Sequence, residues 1–131
     1  AFGGGFSHDR MYRKEHETWW QEEIPTPEEC ENAMKNLAAH NWKVDYILTH
    51  DVFSSHPLSK KYETTLDGYG KDRKNLHVFL EQVEKKVDYN VWFHGHYHTD
   101  QLYRTKEDRP VLCLFDQVIC LNDFMKELNE S

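Results

Sequence analysis

Apolar positions along the chain recur with two periods, and their alternation sketches helices laid on strands. Cys30, Ala33, Met34, Leu37 and Ala38 follow the i, i+3, i+4, i+7 spacing of one helix face. Thr26-Pro27-Glu28-Glu29 supplies the start signal: a capping hydroxyl, a proline at the first helical position and a glutamate that completes a capping box. A helix from Pro27 to about His40 is predicted. Val44-Asp-Tyr-Ile-Leu-Thr49 then reads as a short strand that ends in His50-Asp51. Leu76, Phe79, Leu80, Val83 and Val87 mark a second amphipathic helix over residues 72–86, with Lys85 and Lys86 suited to its negative end. Val91-Trp92-Phe93 is an uncharged run of strand formers, broken at Gly95, where the missing side chain permits a sharp change of direction.

The remaining stretches are less periodic. Residues 101–105 and 111–115 flank the polar Lys106-Glu-Asp-Arg-Pro110 turn and read as a hairpin. Val118 to Leu121 reads as one more short strand, and the tail from Asn122 as surface helix or coil. Residues 54–70 carry Ser, Pro, Gly and Tyr without a period and read as a long loop, of the kind that is functional when it occurs in a compact domain. Ala1 to Phe6 reads as a strand end turning through Gly3-Gly4-Gly5; the Gly-Lys-Ser/Thr of a phosphate-binding loop is missing there. Ser7-His8-Asp9 holds the residue types of a hydrolase triad, but sequence neighbours diverge in space and a triad is defined by geometry. Trp19-Trp20 is expected to cover the edge of the core. No repeat or linker divides the chain, so residues 1–131 are expected to form a single α/β domain.

Composition narrows the partners. The chain has 131 residues, enough for a real core, and carries 16 basic against 23 acidic residues for a net charge of −7. Without a Lys/Arg-rich run, nucleic acid and anionic membranes are not expected as main partners. No apolar segment approaches the ~18 residues of a membrane span and no signal-peptide pattern is present, which gives a cytoplasmic reading. Cys30, Cys113 and Cys120 leave one unpaired under any disulfide scheme and include no CxxC, consistent with reduced thiols.

Candidate chemistry concentrates in Asn90-Val-Trp-Phe-His-Gly-His-Tyr-His-Thr-Asp100, where three histidines alternate out of the apolar run. His96 and His98 fall at the carboxyl end of their strand, and His50 at the carboxyl end of the preceding one; ligands of open α/β sheets usually bind along that edge. A divalent ion takes imidazole nitrogen at ~2.0–2.1 Å. His94 shares the side of His96 only if the strand runs unbroken past Gly95, and is otherwise structural.

His50 after one apolar strand and Gly95-His96-Tyr97-His98 after another resemble the carboxyl-terminal half of the calcineurin-like metallophosphoesterases. Gly3-Gly-Gly-Phe-Ser-His-Asp9, Trp19-Trp20 with Glu22-Glu23, and Val44-Asp-Tyr-Ile-Leu-Thr-His50 look like the bacterial and phage branch, in that order along the chain. The resemblance covers roughly Gly3 to Cys120. It implies half of a four-layer α/β/β/α sandwich, here two helices packed on a mixed sheet. It also implies two divalent ions of Mn, Fe, Zn or Ni type, with His50 and His96 on one and His98 on the other. The reaction implied is hydrolysis of a phosphoester by a metal-bridging hydroxide. His94, Asp51 and His56 are candidates for contacting substrate or orienting the ligands; His56 lies in Ser54-Ser55-His56-Pro57.

The departures matter equally. The family's Asp-x-His, Gly-Asp-x-x-Asp and Gly-Asn-His-Asp/Glu motifs do not occur here, and with them go the bridging carboxylate and the leaving-group acid. Three neutral imidazoles cannot hold two dications without carboxylates. The expectation is therefore a fragment, or a half whose partner segment lies elsewhere, with little activity alone. An interaction or scaffold half-domain with vestigial histidines is the alternative. A metallo-β-lactamase-like hydrolase, suggested by His96-x-His98-x-Asp100, stands further back because Gln101 replaces the next histidine of that signature. His8, His16, His40 and His77 have no nameable partner, and they and His56 are expected by default on exposed or helix-face positions.

Overall fold

The computed structural model describes residue 2, residues 25–63 and residues 70–130. The elements are α1 (Pro27–Ala39), β1 (Tyr46–Leu48), α2 (Pro57–Glu63), α3 (Gly70–Lys86), β2 (Val91–His94), β3 (Gln101–Arg104), β4 (Pro110–Cys113) and α4 (Leu121–Glu130). The triad-like Ser7-His8-Asp9, the glycine run, His16 and Trp19-Trp20 lie outside the described residues.

Four strands form one mixed sheet in the order β1-β2-β4-β3. β1 and β4 run parallel to β2, and β3 pairs antiparallel with β4, so the expected hairpin forms at one edge. Central β2 has both neighbours and all four of its residues buried, which accounts for its uninterrupted apolar run. Alternation along the strands sorts side chains to two faces. Ile47, Trp92, Val111 and Cys113 meet Leu76, Leu80 and Val83 of α3, with Met34 and Leu37 of α1 packed alongside. Val91, Phe93 and Leu112 point the other way, onto Phe124, Met125 and Leu128 of α4. The result is a mixed α/β arrangement with helices on both sheet faces.

Local signals explain α1 closely. Thr26 Oγ1 accepts from the Glu29 amide at 3.1 Å, and the Glu29 carboxylate accepts from the Thr26 amide at 3.4 Å. Two expectations need correction. Residues 54–70 are not one loop, because Pro57–Glu63 forms α2; a proline at the first helical position starts it, and seven residues are too few to show a helical period. Val118 to Leu121 is not a strand: Val118 is 99% exposed and Leu121 begins α4. The tail from Asn122 is helix rather than coil, as one of the two expectations had it, and Leu121, Phe124, Met125 and Leu128 of α4 cover the second face of the sheet. Among the described residues no helix is long and apolar enough to cross a membrane.

Candidate functional site

Parallel pairing of β1 with β2 sets Leu48 beside Phe93, so the carboxyl ends of both strands lie side by side. The register continues one step further, where the Gly95 amide donates to the His50 carbonyl at 3.0 Å. His50 and His96 are thereby delivered to the same edge. Their rings meet edge to face with centroids 4.8 Å apart, and His50 Nε2 lies 3.0 Å from His96 Nδ1.

β2 ends at His94, so the run breaks at Gly95 as expected, and the turn that aims His96 is built by the residues that follow. A side chain at Gly95 would meet only the Leu114 carbonyl at 3.6 Å and the His50 carbonyl at 4.0 Å, ordinary contacts. The left-handed conformation falls instead on His96, with φ 72°, and on His98, with φ 52°. Histidine is among the residues that enter this region more readily than most, though a non-glycine residue there still costs on the order of 1 kcal/mol. Two such residues within three positions mark a backbone held by its surroundings.

His98 parts from the pair. Its exposed ring stacks on Phe115 with centroids 5.0 Å apart. Among the described residues no group of three or more His, Cys, Asp or Glu is arranged to hold a metal ion. The structure thus brings together two of the three expected ligands, His50 and His96.

Asp51, directly after His50, turns inward and is 1% exposed. Its Oδ1 accepts from the Tyr97 hydroxyl at 2.5 Å and from the Val52 amide at 2.8 Å. Its Oδ2 accepts from His77 Nε2 at 2.8 Å and lies 3.9 Å from His96 Nε2. Burial pushes the Asp51 carboxyl up, but the hydrogen bond and charge of His77, the charge of His96 and the Tyr97 hydroxyl outweigh it. The group is held well below the usual carboxylate range.

His77 was missed by sequence reasoning. It lies on a helix face, as the default of an exposed or helix-face position allowed, but on the buried stripe of α3 beside Leu76 and three residues before Leu80, where it is 2% exposed. A polar residue within an apolar helical stripe was the available signal, since such a group needs a buried partner.

His56 and His94 form a second pair, inside the fold, with ring centroids 5.2 Å apart. His56 is 0% exposed rather than on the surface, and His94 is 4% exposed. The Leu58 amide donates to His56 Nδ1 at 3.1 Å, so neutral His56 carries its proton on Nε2. His94 Nδ1 faces the Gly95 carbonyl at 3.2 Å and must be the donor, which leaves its Nε2 a bare acceptor. Neither Nε2 has a partner among the described residues. Burial, with His94 beside it, pushes the His56 pKa down to about 3; burial likewise pushes His94 down to about 4.

Asp100 is engaged elsewhere. Its carboxylate accepts from the amides of Phe115 at 2.8 Å, Asp116 at 3.3 Å and Gln117 at 3.4 Å, and the Phe115 bond foremost holds its pKa down. An apolar cavity of about 250 Å³ lies between α1, β1 and α3, lined by Leu37, Ile47, Phe79 and Val83 among others. No histidine lines it. No family model, curated protein or solved structure matches the chain at a significant level.

Proposed function

We propose that this chain contributes the imidazole donors of a metal-dependent phosphoesterase, as one sheet and its helices from a four-layer α/β/β/α sandwich of the calcineurin-like kind. One observation carries the reading: His50 Nε2 and His96 Nδ1 are 3.0 Å apart at the carboxyl edge of two parallel strands. Adjacent donors around an ion with metal to nitrogen bonds of ~2.0–2.1 Å lie ~3 Å from one another, so the pair matches the bite of a single divalent ion.

Two such ions, of Mn, Fe, Zn or Ni type, supply a nucleophilic hydroxide and positive charge for the phosphoryl oxygens when bound. His50 and His96 hold one of them. His98, exposed beside Phe115, is assigned to the other. The carboxylates and the leaving-group acid that a dinuclear centre needs come from a partner segment, so the chain alone binds metal weakly and turns over little substrate. Asp51 and His94 support the ligands from beneath, and buried His56 supports His94 rather than touching phosphate. The substrate class is a phosphoester, with neither nucleic acid nor membrane as main partner. Free thiols at Cys30, Cys113 and Cys120 fit a cytoplasmic setting.

The competing reading, a non-enzymatic interaction half-domain, draws on the lack of a three-ligand group among the described residues. A metallo-β-lactamase-like site is less favoured, because Asp100 is engaged with the Phe115 to Gln117 amides. Calorimetry with Mn²⁺, together with p-nitrophenyl phosphate turnover in the presence of candidate partner segments, separates these readings. The expected result is weak binding that both His50→Ala and His96→Ala abolish. Absence of Mn²⁺ and Zn²⁺ binding, or binding that survives both substitutions, contradicts the proposal.

A further inference from the structure

Resting on that reading of the His50–His96 pair, we infer that Asp51 is a positioning residue: it fixes the tautomer of His96 so that the Nδ1 lone pair faces His50. Two arrangements of the pair are open when no ion is bound. Either His50 Nε2–H donates to His96 Nδ1, or His96 Nδ1–H donates to His50 Nε2, across the same 3.0 Å. The second would leave a bare Nε2 lone pair of His96 pointing toward Asp51 Oδ2, 3.9 Å away, with both groups nearly enclosed. Lone pair against carboxylate in a site of low polarity is repulsive; an Nε2–H in the same place is attractive. The carboxylate therefore selects the Nε2–H form of His96.

Asp51 is suited to this because it cannot turn away. The Val52 amide, the Tyr97 hydroxyl and His77 Nε2 occupy its oxygens from three directions, and His77 reaches it from α3, which carries neither member of the pair. Outer carboxylates beside a ligating imidazole set which nitrogen is offered to the ion; at 3.9 Å from His96 Nε2, Asp51 does so through its charge rather than through a hydrogen bond. Here the offered atom is His96 Nδ1, the one already placed beside His50 Nε2. Binding an ion would then require only that His50 change tautomer, Nδ1 taking a proton from solvent as Nε2 gives one up, which an exposed ring allows.

The test is a long-range ¹H–¹⁵N NMR spectrum of the histidine rings in EDTA-treated chain, with His96 assigned by comparison with His96→Gln. The expected spectrum shows His96 protonated at Nε2 and bare at Nδ1, and a shift toward a mixture of tautomers in Asp51→Asn. Mn²⁺ affinity is expected to fall about 10–100-fold in that variant. A wild-type His96 protonated at Nδ1 overturns the inference, and so does an Asp51→Asn spectrum identical to wild type. Should Asp51→Asn fail to fold, the wild-type spectrum still decides, and Tyr97→Phe with His77→Gln loosens the carboxylate while retaining it. A wild-type chain that shows the expected tautomer yet binds no Mn²⁺ upholds the role of Asp51 on His96 and removes the phosphoesterase reading instead.

Discussion

Two pairs of histidines sit a few residues apart in this fold and meet at nearly the same angle, 69° for His50 with His96 and 76° for His56 with His94, yet their environments separate them. The first pair stands at the sheet edge with an exposed member, nitrogens 3.0 Å apart and a buried carboxylate close behind. The second is enclosed, its Nδ1 atoms committed to backbone partners. The lesson is that residue type and ring geometry do not make a metal site. On the proposed reading, access for the ion and a carboxylate close by separate the two pairs, and of these two described pairs the edge pair has both.

Removing the charge should give the largest effect. Asp51→Ala strips the acceptor from His77, Tyr97 and the Val52 amide at once, leaving buried donors unpaired. A loss of ~3–5 kcal/mol in urea unfolding is expected, as for other broken buried pairs; a loss below ~1 kcal/mol would mean that water reaches those donors.

Acid should expose the inner pair next. His56 and His94 have folded pKa values of about 3 and about 4, below the ordinary value of 6.5. Between those limits the unfolded chain binds protons that the folded chain refuses. Stability is therefore full above pH 6.5 and falls as the pH drops toward 4, by about 1 kcal/mol per pH unit for each ring. Urea midpoints measured from pH 7 to pH 4.5 should show this slope, and His56→Phe should roughly halve it. A flat profile would show that the inner pair is solvated.

Smaller effects probe the turn and the edge. Gly95→Ala should change stability by no more than ~1 kcal/mol, because a Cβ there meets only ordinary contacts and the left-handed backbone belongs to His96. His50→Ala should leave the unfolding free energy within ~0.5 kcal/mol, since its ring is exposed, while abolishing the Mn²⁺ binding proposed for the pair. A large destabilisation would place His50 among the structural histidines with His56.

Much of this was legible wherever the cause is local. Thr26 with Glu29 announced α1, the apolar stripe of α3 was visible in spacing, and two strands each ending in a histidine pointed to one edge. What depended on distant partners was not. His77 reaches Asp51 across 26 residues of sequence, and nothing near either residue requires the other. α2 was hidden because a single short helix among serines and a proline shows no period. The tail from Asn122 reads as helix or coil, and the helical spacing of Leu121, Phe124, Met125 and Leu128 decides for helix; the strand formers Val118 and Ile119 draw only residues 118–121 toward a strand. Gly95 marked the end of β2, whereas the left-handed conformation of His96 and His98 in the turn after it left no signal in the sequence.

The central claim, that the edge pair and not the inner pair receives a divalent ion, is tested most directly by adding substoichiometric Mn²⁺ to the ¹⁵N-labelled chain and following paramagnetic broadening of the histidine signals. His50 and His96 should broaden first and together, with His56 and His94 affected later. Broadening that begins at His56 and His94, or that reaches all histidines equally, would contradict the account.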